Sequence, residues 1–329
     1  MKSILLALLL LPALSGAVTL KIATVAPDGT GWMKEMRAAG DRIKAQTDGR
    51  VKIKFYPGGV MGDYATVMRK MRIGQLHGGA FTSGELATRY PDLFLYNTPF
   101  LFADDEEVEY VRQRLEPMLN AGLEEKGIVV LGSASGGFVY LFSDKPVRTF
   151  DDLSRAKVWT PEGDPVSDKA FRLAGVTPIP LTLADVYTAL QTGMLDTVVN
   201  TTFGAIAFQW HTKMRYMVDF PIAYVFGAFG LDKRTFYKLS EEDQAVLRQE
   251  FAVAFKAIEE TNRQDAVGAR AALINQGIEV LELSEEQRAQ FNSLGSEVLD
   301  YMGSTDDFTL THLGDLIRII EEYRGSPIQ

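Results

Sequence analysis

The clearest pattern of apolar and polar positions lies between Pro146 and Thr202, where short apolar runs alternate with a segment of helical period. Leu183, Val186 and Leu190 share one face of that segment, which predicts an amphipathic helix. The short runs are bounded by turn residues and predict strands. In order, the prediction is a strand at 157–160, a helix after Asp164, a strand at 177–181, a helix after Thr182 and a strand at 195–200. Strands joined through helices indicate a parallel or mixed sheet.

Capping residues mark the predicted helix boundaries in this stretch. Asp164 precedes Pro165, an order typical of an N-cap followed by the first helical residue. Thr182 and Asp185 have the spacing of a capping box. Gly175 and Gly193 follow the two helices, and glycine can adopt the left-handed conformation that ends a helix.

Apolar runs and turn residues predict further strands in the rest of the chain. Apolar runs at 20–25, 51–56 and 76–81 predict strands, and residues 128–143, IVVLGSASGGFVYLFS, predict two strands around a turn of glycine and serine. The aromatic segment YPDLFLYNTPFLF carries two prolines and is predicted to be an irregular connection. A further strand is expected at 223–231.

A long helical pattern opens at Ser240 and continues to about Gln276. About 36 residues at 1.5 Å each would span roughly 54 Å, which exceeds the width of one small domain. The chain is therefore expected to be an α/β protein of two lobes, with mixed sheets, hinge strands and a helix that spans both. The predicted divisions are a signal peptide at 1–17, lobe I at 18–142 plus 230–270, and lobe II at 143–229 plus 271–329.

Composition narrows the class of protein. The 329 residues are 46% hydrophobic and 23% charged, which is typical of a globular chain, and the formal net charge of −9 argues against nucleic acid or an anionic membrane as a partner. The chain has no cysteine, so disulfides and thiolate metal sites are excluded. The opening MKSILLALLLLPALSGA resembles a secretory signal peptide, and no later run is long and apolar enough for a membrane helix. A periplasmic protein is expected.

Residues for catalysis are sparse. His77, His211 and His312 have no metal-ligand spacing, and the chain lacks the GxSxG, phosphate-loop and dinucleotide signatures. No catalytic set, metal site or cofactor is predicted. A secreted two-lobed chain without such a set favours a binding protein that holds a small molecule between its lobes. An enzyme with acid and base groups assembled from distant positions, and a structural protein with a filled cleft, remain alternatives.

Several motifs resemble the DctP-type solute-binding subunits of tripartite ATP-independent periplasmic (TRAP) transporters. The most specific is LTLADVYTALQTGMLD followed by Asn200, and YPGGVMGD, YPDLFLYNTPFLF, GGFVYLFSDKPV and TFDDLSRAKVWTPEGDP support it. The resemblance covers nearly the whole mature chain. It implies two α/β lobes, closure around a ligand and delivery to integral membrane subunits that use an ion gradient.

Two positions depart from the family pattern. The resemblance places Trp159 and Val139 where the family has arginines that clamp a ligand carboxylate, and neither side chain can give the charge-assisted fork of a guanidinium. We therefore expect an apolar or amphipathic ligand. The predicted ligand-binding residues are Trp159, Val139, Phe138, Phe203, Tyr90, Trp210 and Tyr224, with Asn200 as a hydrogen-bonding group.

Other ligands and partners remain open. The pattern also resembles the family subgroup that works with a periplasmic tetratricopeptide-repeat protein, which would add that partner. A carboxylate ligand would require a relocated cation such as Arg89, Lys213 or Arg215. An organic cation could instead lie over Trp159, because an indole face attracts ammonium groups.

Overall fold

The computed structural model describes residues 17–325, so the predicted signal peptide lies almost entirely outside the described residues. The strands are β1 Val18–Thr24, β2 Val51–Tyr56, β3 Gly78–Thr82, β4 Ile128–Ser143, β5 Trp159–Pro161, β6 Ile179–Leu181, β7 Thr197–Asn200, β8 Tyr216–Val218, β9 Ala223–Asp232 and β10 Glu279–Leu281. The helices are α1 Gly31–Gln46, α2 Tyr64–Arg72, α3 Ser83–Ala87, α4 Asp105–Glu125, α5 Phe150–Ser154, α6 Pro165–Leu173, α7 Val186–Thr192, α8 Thr202–Ala207, α9 Lys233–Phe236, α10 Glu241–Asn275, α11 Glu285–Ser304 and α12 Leu313–Arg324.

Eight strands form one mixed sheet in the order β10-β8-β4-β9-β3-β1-β2, with β7 also paired to β4. β1 pairs in parallel with both β2 and β3, whereas β9 is antiparallel to both β3 and β4. β5 and β6 form a separate parallel pair, which an isolated bridge from Val158 to Thr197 links to β7. The predicted mixed sheet is therefore present.

Strand β4 differs from its prediction. The expected turn of glycine and serine is absent, and Ile128–Ser143 is one strand of 16 residues. The pairing with β9 shifts between Val130 and Gly132 and again between Ser135 and Gly137, where φ is 92°. Such bulges bend a strand without ending it, so the small residues curve β4 and do not reverse it.

Residues 17–325 contain three hydrophobic cores: one packs α4, α11 and α12 around the segment at 90–102, and the other two lie at opposite ends of this arrangement. Of these two, one packs β1, β2 and α1 against the first half of α10, including Phe251 and Ile258. The other packs β7, α7 and Trp210 against Leu273 near the end of α10. The predicted long helix is thus confirmed at Glu241–Asn275, and it contributes to both cores. The exact lobe boundaries stay a prediction.

Two local predictions need correction. The connection predicted to be irregular at 90–102 contains a 3-10 helix, Pro91–Asn97, whose side chains are largely buried. The predicted capping box at Thr182 is also wrong. Its hydroxyl donates to Asp185 Oδ2 at 2.7 Å, and α7 begins only at Val186 with no side-chain cap. Asp164 does cap α6, because Oδ1 accepts from the backbone N–H groups of Val166 and Ser167 at 3.0 Å.

We predict that Gly78→Ala lowers the free energy of unfolding by about 1–3 kcal/mol, because a methyl group in a filled space forces the neighbouring atoms to move. A Cβ at this position would meet the carbonyl oxygen of Gly230 and lie 2.6 Å from Leu231 Cδ2. Urea denaturation followed by circular dichroism measures the loss. Gly227→Ala is the matched control, since its Cβ would meet nothing within 4 Å. Equal losses in both variants would contradict the packing argument.

Candidate ligand-binding cleft

A cleft of about 720 Å³ opens where the two ends of the fold face each other. One wall comes from the β1–α1 loop, the start of α2 and the β3–α3 segment. The opposite wall comes from β5, the loops before α6 and α7, and the β7–α8 segment. The middle parts of β4 and β9 supply residues between these walls. Its volume lies within the range of about 300–1,000 Å³ that is common for small-molecule sites.

Five of the residues predicted to bind a ligand line this cleft: Trp159, Val139, Asn200, Phe203 and Tyr224. Trp159 is only 5% exposed, and its indole N–H donates to the Leu181 carbonyl oxygen at 2.9 Å. The ring therefore forms part of the wall while its one donor is already used. Tyr224 also has internal partners, because its hydroxyl bonds to Ser135 and donates to Asp105 Oδ1.

The other three predicted residues do not line the cleft. Phe138 packs edge-on against Tyr224 with ring centroids 4.8 Å apart. Side chains alternate along a strand, so Phe138 and Val139 cannot share a face of β4. Trp210 is 1% exposed and packs behind Trp159 at a centroid distance of 5.3 Å. Tyr90 is 8% exposed and lies over Gly122 of α4. These three side chains belong to the core.

Asn200 offers the cleft a free donor. Its Oδ1 accepts from the Thr201 backbone N–H at 2.8 Å, whereas the buried Nδ2 has no partner within residues 17–325. A buried polar nitrogen without a partner costs about 1–3 kcal/mol. An acceptor atom on a bound ligand would relieve that cost.

Four carboxylates also line the cleft: Asp63, Glu85, Glu162 and Asp164. Asp164 is buried and holds the start of α6, and Asp63 caps α2 by accepting from the Thr66 N–H at 2.7 Å. Glu162 is exposed at the opposite wall. This acidic character was not predicted from the sequence, because Asp63 and Asp164 have the pattern of ordinary helix N-caps.

Within residues 17–325, Glu85 keeps one carboxylate oxygen without a hydrogen bond. Its Oε2 accepts from the backbone N–H and the hydroxyl of Thr82 at 2.8 and 3.2 Å, which completes a capping box for α3. Oε1 makes no hydrogen bond within the described chain. Burial, with a smaller contribution from the charge of Asp63, raises the pKa of Glu85 above its ordinary value.

Burial likewise raises the pKa of Asp164, against the opposing effect of its hydrogen bonds to Ser167 and Val166. The pKa of Asp63 is lowered, because its carboxylate accepts hydrogen bonds from Thr66. The two raised carboxyl groups therefore come from opposite walls, Glu85 from one and Asp164 from the other. Their charged forms are the ones that burial disfavours.

No lysine, arginine or histidine is among the described residues that line the cleft. Arg89, Lys213 and Arg215, the suggested relocated cations, are exposed and lie elsewhere, and Arg89 Nε donates to the Lys126 carbonyl oxygen at 2.6 Å. The predicted relocation is therefore wrong for these three residues. A ligand carboxylate in the cleft would therefore find no cationic partner among the described lining residues.

A network of ion pairs around Arg112 adjoins the cleft residue Ser135. Arg112 of α4 contacts Glu116 and Glu259 at 2.9 Å each, and its Nη2 donates to the Ser133 carbonyl oxygen at 3.0 Å. Glu259 also accepts from the backbone N–H of Ser135, a residue of the cleft. The positive charge of the Arg112 guanidinium is thus compensated by two carboxylates, Glu116 and Glu259.

Aromatic rings supply much of the remaining wall. Trp32, Tyr64, Phe81 and Phe208 line the cleft beside the predicted aromatic residues, and Tyr64 packs edge-on against Phe81 at 5.4 Å. Sequence reasoning did not select these four. Trp32 and Tyr64 lie at helix starts, Phe81 in β3 and Phe208 just after α8, and an aromatic residue at such positions has no pattern that marks it as part of a ligand site.

The structure describes no helix in residues 17–325 that is long and apolar enough to cross a membrane. It also places no group of three or more potential metal ligands together in that range.

Comparison with known proteins identifies the family. The model of the DctP family, bacterial extracellular solute-binding protein family 7, matches residues 22–306. The chain belongs to the DctP family. The prediction of a binding protein and not an enzyme is confirmed by this membership, since the family is one of solute receptors.

Individual relatives agree with this assignment. The chain is 25% identical to the uncharacterized protein YiiZ of Salmonella typhimurium, across 63% of this chain and 64% of YiiZ. It is 27% identical to the 2,3-diketo-L-gulonate-binding periplasmic protein YiaO of Escherichia coli, across 79% of each chain. The crystal structure of the sugar acid binding protein DctPAm from Advenella mimigardefordensis with galactonate has a TM-score of 0.86 at 18% identity, covering 93% of this chain and 99% of that one. The two-lobed α/β fold is confirmed.

The prediction of an apolar ligand finds no support. YiaO and DctPAm are named for sugar acids, and no apolar ligand is named among these relatives. The wall of the cleft is also polar in part, because it carries four carboxylates and the free amide of Asn200.

We predict that Trp159→Phe lowers the free energy of unfolding by about 1 kcal/mol, because the ring stays while the hydrogen bond to Leu181 is lost. Urea denaturation measures the change. Trp32→Phe is the matched control, since the Trp32 indole N–H donates to no described residue. An equal or larger loss in Trp32→Phe would contradict the role of the hydrogen bond.

We predict a pH dependence for the stability of Glu85→Gln. A carboxyl group whose pKa is raised in the folded state destabilises the fold once it ionises. Its contribution to the free energy of unfolding is therefore most favourable below the unfolded pKa and is lost as pH rises through the folded pKa. Glutamine keeps the capping box and cannot ionise. The stability of Glu85→Gln relative to the unmodified protein should therefore increase from acidic to neutral pH. Urea denaturation across that range measures it, and a pH-independent difference would contradict the raised pKa.

Proposed function

We propose that this protein is the periplasmic solute-binding subunit of a TRAP secondary transporter. It captures one small polar molecule in the cleft, closes over it and delivers it to integral membrane subunits. The observation that carries the proposal is the cleft itself, of about 720 Å³, whose walls come from opposite ends of a fold that matches the DctP family. A binding protein of this kind needs a site that both lobes complete.

The contacts across the mouth of the cleft support closure. Thr88, just after α3, lies near Gly163 of the opposite wall, at 3.4 Å from where a Cβ of Gly163 would be. Gly84 likewise lies near Asp164, with 3.9 Å between its ideal Cβ position and Oδ2. Helix α3 and the β5–α6 loop thus form the two edges that would separate when the cleft opens. Between them the chain is continuous through β4, β9 and α10, which are the elements able to act as a hinge.

Relatives suggest organic acids as one ligand class for this chain, because YiaO and DctPAm are named for 2,3-diketo-L-gulonate and galactonate. A carboxylate in this cleft would meet neutral donors such as Asn200 and no cation from the described wall. Delivery to integral membrane subunits is proposed because the chain belongs to the DctP family. A tetratricopeptide-repeat partner was suggested together with an apolar ligand, and the described residues add nothing that favours it.

We predict that a ligand of the cleft stabilises the protein by about 2.7 kcal/mol at one hundred times its dissociation constant, because it binds the folded chain alone. A thermal-shift screen of sugar acids, dicarboxylates, amines and polyols would find it. Small-angle X-ray scattering should then show a smaller radius of gyration with the compound than without it. The compound should be recovered intact, whereas chemical alteration would favour an enzyme.

Gly227→Leu provides the matched test of location. Gly227 lines the cleft, and a Cβ there would meet nothing within 4 Å, so a leucine would extend into the ligand space. This variant should lose the stabilisation by the compound. Gly268→Leu is the control, because Gly268 is exposed on α10 and also has free space around it. Loss of binding in both variants, or in neither, would contradict a ligand site in the cleft.

A further inference from the structure

The charges that line the cleft are of one sign. Four carboxylates are present and no basic side chain accompanies them among the described lining residues. Asp63 and Glu85 lie on the same wall, and the charge of Asp63 adds to the effect of burial in raising the pKa of Glu85. Like charges brought together in a partly buried site are unfavourable unless a counter-charge joins them. The described lining residues supply none, so Glu85 is either protonated or paired with a cation that the wall of the cleft does not provide.

Glu85 has the geometry of an acceptor for such a group. Thr82 occupies Oε2, and the capping box fixes the carboxylate at the start of α3. Oε1 stays without a hydrogen bond in the described chain. A donor that also carries positive charge would form a charge-assisted hydrogen bond there, which is about twice as strong as a neutral one.

The aromatic residues favour the same kind of ligand. Trp159, Tyr64 and Phe81 line the cleft, and the indole N–H of Trp159 is already bound to Leu181. Such rings have little to offer a carboxylate, because the faces of their π-systems are negative. They attract ammonium groups, by about 2 kcal/mol or more where water is excluded.

We propose that the ligand of this cleft carries a cationic nitrogen, which is seated against Glu85 and Asp63 and beside Tyr64 and Phe81 of the same wall. A hydrogen-bond acceptor elsewhere on the same molecule faces the free Nδ2 of Asn200. This assignment rests on the proposed function, since it names the chemical class that the receptor takes. It departs from the sugar acids named for YiaO and DctPAm, because the acidic wall disfavours an anion.

Matched probes isolate the charge. Choline and 3,3-dimethylbutan-1-ol have nearly the same shape and differ in one positive charge, and 2-phenylethylammonium and 3-phenylpropanoate compare a cation with an anion on a larger skeleton. Isothermal titration calorimetry of the purified protein should show each ammonium probe binding about tenfold or more tightly than its partner. Galactonate is included as the acid named for a relative.

Variants locate the counter-charge. Glu85→Gln should weaken both ammonium probes by about tenfold and leave the alcohol unchanged, since only the charged interaction is lost. Glu286→Gln, in the exposed first turn of α11, is the matched control and should change neither. Thermal unfolding of Glu85→Gln checks that this variant is folded.

Each result decides between the hypotheses. Tighter binding of galactonate or 3-phenylpropanoate would overturn the cationic ligand and leave the receptor function intact. Equal affinity for choline and its alcohol, or no binding of either ammonium probe at millimolar concentration, would also overturn it. Ammonium binding that depends on Glu85 without any change in small-angle scattering would support the ligand class while contradicting receptor closure.

Discussion

Strands β4 and β9 pair antiparallel through the middle of the molecule, and most other features depend on this pairing. Toward one end, β9 continues the sheet through β3, β1 and β2, and toward the other, β4 continues it through β8 and β7. The cores at the two ends of the sheet are therefore linked by continuous strands. The cleft lies over this junction, so its two walls belong to different cores, as Phe81 on one wall and Trp159 on the other show.

The bulges in β4 follow from the same constraint. A strand of 16 residues that serves two ends of a sheet must bend between them, and each shift in its pairing with β9 provides a bend. The small residues of GSASGG leave room for helix α10, because Gly132 approaches Phe255 of α10 so closely that a Cβ would overlap the ring. Helix α10 can then lie against the sheet and extend toward both cores.

Several interior charges are compensated within the chain. Arg112 is matched by Glu116 and Glu259 where it joins α4, β4 and α10. Asp164 and Asp63 use their oxygens on the backbone at the starts of α6 and α2. Glu85 keeps one oxygen free at the cleft, and Asn200 keeps one nitrogen free across from it. Of the buried polar atoms left without a partner in residues 17–325, Asn200 Nδ2 belongs to a residue of the cleft, whereas Asp92 Oδ2 and Asp144 Oδ1 do not.

The sequence by itself determined the α/β class, the long helix at 241–275, most strands and the family, because these depend on local periodicity, caps and motifs along the chain. It also located Trp159, Val139 and Asn200 at the cleft through motif position. Only the tertiary structure decided that β4 is one strand, since bulges need a partner strand to be defined. It also decided that Phe138 and Trp210 pack in the core while Glu85 faces the cleft. Adjacent residues on a strand, or carboxylates at helix starts, have the same local pattern whichever way they face, and the side that holds a ligand is set by packing between distant segments.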